Sequence, residues 1–179
     1  MLQVQTFHLI CLEMSLNMAV STVSSITGQG WQLIATNTTT SGTSSTFSGL
    51  AGYKRFMLSW KGIGLSSGLG INIRFNGDST NNNYASIYYG LGGSSLAAES
   101  TKILLSSVGN NAANFSGTLY IDNVLEAAPK MIDGIGQEGG GSAAGVIKGT
   151  WVSESAITSI ALLGGTFSAG TVSLYGIAA

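Results

Sequence analysis

Eight carboxylates are the residues that this sequence offers to acid–base chemistry. They are Glu13, Asp78, Glu99, Asp122, Glu126, Asp133, Glu138 and Glu154. A glycosidase needs two carboxyl groups that face each other across a sugar, one of them kept protonated by an apolar setting. Asp122 with Glu126, or Asp133 with Glu138, has a spacing that allows such a pair. Carboxylates at turns and strand ends are far commoner, and we interpret these eight as such residues.

Nucleophilic and metal chemistry have even fewer candidates. His8 is the only histidine and precedes the patterned part of the chain, and no GxSxG motif supplies a nucleophile elbow. Cys11 is the only cysteine, which excludes an intrachain disulfide and a multi-cysteine zinc site. We therefore predict that the protein is not an enzyme and uses no cofactor or metal.

Two binding sites remain as hypotheses. The run Asp78–Asn83 offers several oxygen ligands for Ca²⁺, although one carboxylate is few for that ion and a polar turn explains the run better. Tyr88 and Trp60 are the candidate glycan contacts, because exposed aromatic rings can stack on sugars. Aromatic residues in strands more often pack in the core. Tyr88 and Tyr89 are adjacent, so they point to opposite faces and at least one is expected at a surface or an interface.

The composition predicts a component of an assembly. Only seven basic and eight acidic residues occur among 179, the net charge is −1, 44% of the residues are hydrophobic and 26 are Gly. Soluble domains carry about a quarter charged residues, so this surface must be neutral and polar or lie against neighbours. The basic residues are scattered singly, which argues against a nucleic-acid partner. No apolar run approaches the length of about 20 residues that spans a membrane.

From Gly30 onward the pattern is β. Phe56, Leu58 and Trp60 alternate with more polar residues in Tyr53–Trp60, as expected when one face packs on a core. Similar short runs recur every 8–12 residues between turn clusters such as Asn76-Gly77-Asp78. The predicted strands are Trp31–Thr38, Ser45–Leu50, Tyr53–Trp60, Leu69–Asn76, Tyr84–Tyr89, Thr101–Ser107, Gly117–Asp122, Lys130–Ile135, Val146–Val152, Ile157–Leu163 and Thr171–Ile177. Only Ser94–Ser100 gives a weak helix signal. We predict an all-β domain over residues 29–179, a two-sheet antiparallel sandwich of jelly-roll type.

Residues 1–28 have a different texture, irregular and Met-rich. Val4, Phe7, Cys11, Met14 and Met18 follow each other at spacings of three and four, which fits one helical face. The same residues fit an extended arm equally well. We interpret the segment as a docking arm, with Val4, Phe7 and Met14 as candidate interface residues.

The C-terminal segment carries a resemblance. Gly149-Thr150-Trp151, then Ile157–Leu163 and Phe167–Ile177, is similar to the closing hairpin of a family of β-sandwich domains in tailed-phage virion proteins. Gly30–Thr40 and Tyr53–Asn76 are similar to the first half of that family. The resemblance covers about residues 30–179, and it implies a virion component that is often trimeric and has no catalytic activity.

The last strand also has a physical reading of its own. Val172 and Leu174 share one face, while Tyr175 and Ile177 share the other. Apolar residues on both faces indicate that both faces are covered, and a neighbouring subunit could supply the second cover. Tyr175 and Ile177 are therefore candidate interface residues.

Three functions follow as expectations. The first is a capsid decoration, or cement, protein on the virion surface, assembled in the host cytoplasm. As a homotrimer it would bind the major capsid protein over the junctions between capsomers and stabilise the head. The chain is short and has no coiled-coil or repeat shaft, which favours this function. The alternative is a tail or head-fibre module that recognises host surface polysaccharide. The third is a secreted carbohydrate-binding domain, which the poor match of the first residues to a signal peptide disfavours.

Overall fold

The computed structural model describes residues 30–67, 70–91, 96–106, 114–138 and 143–179. The arm predicted at residues 1–28, with Val4, Phe7 and Met14, lies outside these ranges. The described residues form twelve strands and no helix. The strands are β1 Gln32–Thr38, β2 Ser44–Ser48, β3 Tyr53–Ser67, β4 Asn72–Phe75, β5 Tyr84–Leu91, β6 Leu96–Glu99, β7 Ile103–Leu104, β8 Phe115–Asp122, β9 Lys130–Glu138, β10 Ala143–Trp151, β11 Ser159–Leu163 and β12 Thr166–Ala178.

These strands form two antiparallel sheets, so the all-β, two-sheet sandwich prediction is confirmed. The large sheet has the order β1-β12-β3-β8-β9-β10-β5-β6, and the small sheet has the order β2-β11-β4-β7. Residues 31–179 make one compact unit. The helix expected at Ser94–Ser100 is wrong, because Leu96–Glu99 pairs with β5 as strand β6. A stretch this short cannot sustain a helix alone, and pairing with the sheet outweighs its weak propensity.

Alternation of apolar residues determines which face each strand buries. Phe56, Leu58 and Trp60 of β3 are buried between the sheets, whereas Met57 and Ser59 point outward. Since side chains alternate across a strand, a shift of one residue would reverse both faces.

The predicted turn after β4 is also present. Asn76 and Gly77 adopt positive φ values of 52° and 70°, and the Asp78 amide donates to the Phe75 carbonyl at 2.9 Å. Asn and Gly are the residues that tolerate this left-handed backbone. The turn places the side chain of Asp78 at one end of the sandwich, beside the aromatic residues of the core.

Three aromatic rings close that end of the core. The rings of Phe75, Tyr84 and Trp151 pack against one another, with centroids 5.4–6.2 Å apart. The Tyr84 hydroxyl accepts a hydrogen bond from the Phe75 amide at 3.0 Å. Burial raises the pKa of Tyr84 to about 12, so its hydroxyl stays neutral and available as a partner at physiological pH.

A row of glycines crosses the inner face of the large sheet. Gly117, Gly136, Gly145 and Gly90 are paired across β8, β9, β10 and β5. A Cβ on Gly117 would overlap the Trp60 indole, and one on Gly145 would overlap the Tyr88 ring. The glycines therefore make room for two large rings, which pack against bare backbone.

Lys130 is the one charged side chain that the described residues bury completely. Its Nζ donates to the carbonyl oxygens of Glu126 and Ala128, at 2.6 and 2.7 Å. Burial lowers the pKa of Lys130, while the charges of Glu126 and Glu154 oppose that shift. The Lys130 ammonium group thereby links the loop between β8 and β9 to the first residue of β9.

We expect Gly117→Ala to lower the free energy of unfolding by about 1–3 kcal/mol, because the new methyl group would meet both the Trp60 ring and the Ile135 carbonyl. Urea unfolding followed by tryptophan fluorescence measures the change. Gly30→Ala is the matched control, since nothing lies within 4 Å of its Cβ position. Equal stability of the two variants would contradict the proposed role of the glycine row.

Candidate functional site

The outer face of the large sheet, on the side away from the small sheet, is the candidate functional surface. Its central row runs over all eight strands through residues paired in register. In sheet order this row is Leu33, Tyr175, Met57, Tyr120, Asp133, Lys148, Ile87 and Ala98. Below, "outer face" means this row together with the rows on its two sides. Those rows are Ile177, Arg55, Asp122, Met131, Thr150 and Ala85 on one side, and Thr36, Ser173, Ser59, Thr118, Ile135, Val146 and Tyr89 on the other.

The outer face holds most of the exposed apolar surface in the described part of the chain. Six of the eight large hydrophobic side chains that are exposed there belong to it, with Ile135 at 66% and Met131 at 55% among the most exposed. The six are Leu33, Ile87, Tyr89, Tyr120, Met131 and Ile135. Single exposed apolar residues are common on protein surfaces, but several on one sheet face are typical of a surface that contacts a binding partner.

Two groups can be distinguished within the outer face. Ile135, Val146 and Tyr89 are cross-strand neighbours on β9, β10 and β5, and we call them the Ile135 cluster. Leu33, Tyr175, Met57 and Tyr120 are neighbours on β1, β12, β3 and β8, and we call them the Tyr120 cluster.

Charged residues on these three rows occur as pairs. Arg55 contacts Asp122, with a hydrogen bond of 3.2 Å between the Arg55 guanidinium and Asp122 Oδ2, and Lys148 contacts Asp133. Such exposed ion pairs contribute about 0–1 kcal/mol each to stability. Their more important effect is that the three rows carry no net charge. A strongly charged partner would therefore meet no complementary electrostatic potential on these rows.

Trp31 lies against the same face, immediately before β1. Its ring centroid is 5.9 Å from that of Tyr120, and the Arg55 guanidinium carbon is 5.8 Å from the Trp31 ring centroid. This indole partly covers the Tyr120 cluster, and its contact with Arg55 is a cation–π interaction. The Ile135 cluster is thus the more open of the two.

Two of the predicted interface residues lie on the outer face. Tyr175 pairs with Leu33 and Met57 in the central row, and Ile177 pairs with Arg55 in the next row. Both side chains are half-buried in the single chain. The structure therefore brings these two residues together with a larger apolar surface. Their role at an interface stays a prediction.

The candidate glycan contacts need a correction. Trp60 and Tyr88 are only 2% and 0% exposed, and both point into the core. Neither ring can stack on a sugar, since each is packed against the glycine row of the inner face. Alternation along β5 instead leaves the neighbouring Tyr89 exposed, at 54%. From the sequence we expected at least one of the two tyrosines at a surface or an interface and chose Tyr88 as the glycan contact, whereas the exposed residue is Tyr89.

The proposed calcium turn has a different role. The two carboxylate oxygens of Asp78 accept hydrogen bonds from Trp151 Nε1 at 2.7 Å, Asn83 Nδ2 at 2.9 Å and the Thr80 amide at 2.9 Å. These oxygens face N–H donors, so the turn favours a structural carboxylate over a cation ligand. Among the described residues, no group of three or more His, Cys, Asp or Glu side chains could hold a metal ion.

One carboxylate of each candidate catalytic pair contacts a cation, since Asp122 contacts Arg55 and Asp133 contacts Lys148. The side chain of Glu138, the partner predicted for Asp133, lies outside the described residues. Glu99 accepts hydrogen bonds from the Ser100 and Thr101 amides at 2.9 and 3.1 Å. Burial acts to raise the pKa of Glu99, but these hydrogen bonds and Lys102 lower it overall. A general acid needs a shift in the opposite direction.

Comparison with known proteins adds no assignment. No protein family, curated protein or solved structure matches this chain. In the described part of the chain, no helix has both the length and the apolar character needed to cross a membrane.

Sequence reasoning missed the Ile135 cluster, although the necessary signal was present. Met131, Ile132 and Ile135 place apolar side chains on both faces of β9, the same pattern that identified Tyr175 and Ile177 on the last strand. Applying that two-face criterion to every predicted strand would have selected β9 as well.

Asp78 gives a prediction about pH. Burial acts to raise its pKa, but the hydrogen bonds from Trp151, Asn83 and Thr80 outweigh it and hold the pKa well below the ordinary value. The charged form therefore stabilises the fold above a pH of about 4, and this stabilisation is lost as the pH falls further. We expect the free energy of unfolding of the native protein to decrease between about pH 5 and pH 2.

Asp78→Asn tests the assignment. We expect the variant to be less stable than the native protein at pH 7 by about 2 kcal/mol, with a flatter dependence on pH below 5. Urea titrations at several pH values measure both quantities. Asp122→Asn serves as the control and is expected to change stability by less than about 1 kcal/mol. An unchanged slope in the Asp78 variant would contradict this role.

Proposed function

We propose that this chain is a non-enzymatic structural protein of a tailed-phage virion, a capsid decoration protein that binds the major capsid protein and acts as a homotrimer. The observation that supports a structural role is the outer face, where six exposed hydrophobic side chains share one sheet surface. The virion itself is suggested by the resemblance of the Gly149–Trp151 and Phe167–Ile177 segments to phage sandwich domains.

The physical basis of such a function is burial of surface across junctions. A stable attachment buries about 800 Å² on each partner, and apolar area contributes about 25 cal/mol per Å² removed from water. A nearly neutral, Ser- and Thr-rich sandwich brings few charged groups to such a junction, so few charges have to be removed from water. It thereby strengthens contacts that oppose the pressure of packaged DNA.

Recognition of host surface polysaccharide by a tail or head-fibre module is the second candidate. Tyr89 is the exposed ring that favours it, at 54% exposure beside Ile135 and Val146. Tyrosine at an open surface can stack on a sugar ring. This function predicts binding of host cells or of their extracted polysaccharide, lost in Tyr89→Ala and retained in Leu125→Ala, whose side chain is exposed off the outer face.

Immunogold labelling of intact virions separates the two candidates. We expect antibody raised against this chain to label the heads, over the whole shell. Label on the tail tip or on projecting fibres would contradict the decoration function and favour polysaccharide recognition. Absence of label on particles would exclude both virion functions.

The N-terminal segment supplies a further expectation. We expect deletion of residues 1–28 to abolish co-sedimentation with capsids, since the segment is interpreted as a docking arm, while residues 31–179 keep their fold as one compact unit. Circular dichroism of the truncated protein, with its strong β signal, is the control for folding. Capsid attachment of the folded, truncated chain at the native level would refute the arm hypothesis.

A further inference from the structure

We infer that the outer face binds a second copy of this chain, so that the Ile135 cluster and the Tyr120 cluster form a subunit interface. This inference goes beyond the homotrimer of the proposed function, because packing of one face on the same face of a second copy relates the two copies by a twofold axis. It does not depend on the virion, because it needs only the described sandwich.

The dimensions of the outer face fit one protein interface. The three rows contain 21 positions, and each position occupies about 4.8 Å across the strands and about 6.8 Å along them, so the projected area is about 700 Å². A specific interface of standard size buries about 800 Å² on each partner. The outer face is therefore large enough for one stable contact without help from other surfaces.

The charges favour a partner that is itself neutral. Arg55 with Asp122 and Lys148 with Asp133 cancel within one copy. A second copy brings the same internally paired charges, so the contact buries ion pairs and leaves no charge without a partner. A basic or acidic partner would gain nothing from this surface, because electrostatic complementarity requires a field of one sign.

Glycines of the inner face explain why this surface is apolar. On β9 and β10 the inward positions include Gly134, Gly136, Gly145 and Gly149, whereas Met131 and Ile135 point outward. In a sheet that faces water, the pattern would be reversed, with large apolar residues inward and polar residues outward. Outward Met and Ile beside inward Gly are typical of a sheet that is covered on both sides.

The test is the oligomeric state of the full chain and of one variant. We expect analytical ultracentrifugation to show concentration-dependent association of the native protein. Ile135→Glu is expected to weaken that association at least about tenfold, because it would bury an unpaired carboxylate in the Ile135 cluster. Leu125→Glu is the matched control, with the same charge change at an exposed apolar residue in the loop between β8 and β9. The control should associate like the native protein.

A cross-link locates the contact independently of any loss of folding. A photoreactive phenylalanine analogue at position 89 is expected to give a product of twice the chain mass, joined to a peptide of the outer face. A native protein that stays monomeric at high concentration would overturn the inference. Cross-links to other surfaces, or equal weakening by both Glu variants, would overturn it too. Virion labelling is unaffected by these outcomes, so the two proposals fail separately.

Discussion

The close approach of the Trp60 indole to the backbone of Gly117 is the contact on which the large sheet depends. The ring occupies the place where a side chain of β8 would otherwise lie, and it extends towards Gly136 on β9. Tyr88 does the same over Gly145 on β10. Two rings thus occupy the space over the glycine row, beside the aliphatic side chains of Leu119, Ile132 and Ile147. A shift of one residue in the strand pairing would bring side chains into the places of these rings, because it reverses the two faces of a strand.

This arrangement changes what the outer surface is made of. Glycine takes several inward positions of β9 and β10, where Ile132 and Ile147 are the large apolar residues that these strands bury, and further apolar residues lie outward. Met131 and Ile135 on β9 and Val146 on β10 are these outward residues. At the other end of the sandwich the polar contacts are internal, since Asp78 binds the Trp151 indole and Lys130 binds loop carbonyls. Asp78 and Lys130 thus find polar partners within the fold, while the large sheet presents apolar groups at its outer face.

The sequence predicted the strands better than their partners. Runs such as Tyr53–Trp60 and Lys130–Ile135 lie within observed strands, because period-two alternation reports burial of one face directly. Sheet membership depends on long-range pairing, such as β12 between β1 and β3, and has no local signal. The helix signal at Ser94–Ser100 was wrong for the same reason, because the pairing of Leu96–Glu99 with β5 has no local signal either. Trp60 and Tyr88 were misplaced as surface residues, because the glycines that accommodate their rings are distant in sequence and only the register reveals them.

The described carboxylates bear on the proposal of an assembly role over a catalytic one. Catalysis concentrates polar groups with shifted pKa values in one cleft. Here Asp78 and Glu99 are held in their charged forms by neighbouring backbone and side-chain donors, each within its own turn. Their hydrogen bonds stabilise turns and keep both groups ionised. The outer face, by contrast, combines exposed apolar area with paired charges, and a surface of that kind is typical of a contact with another surface.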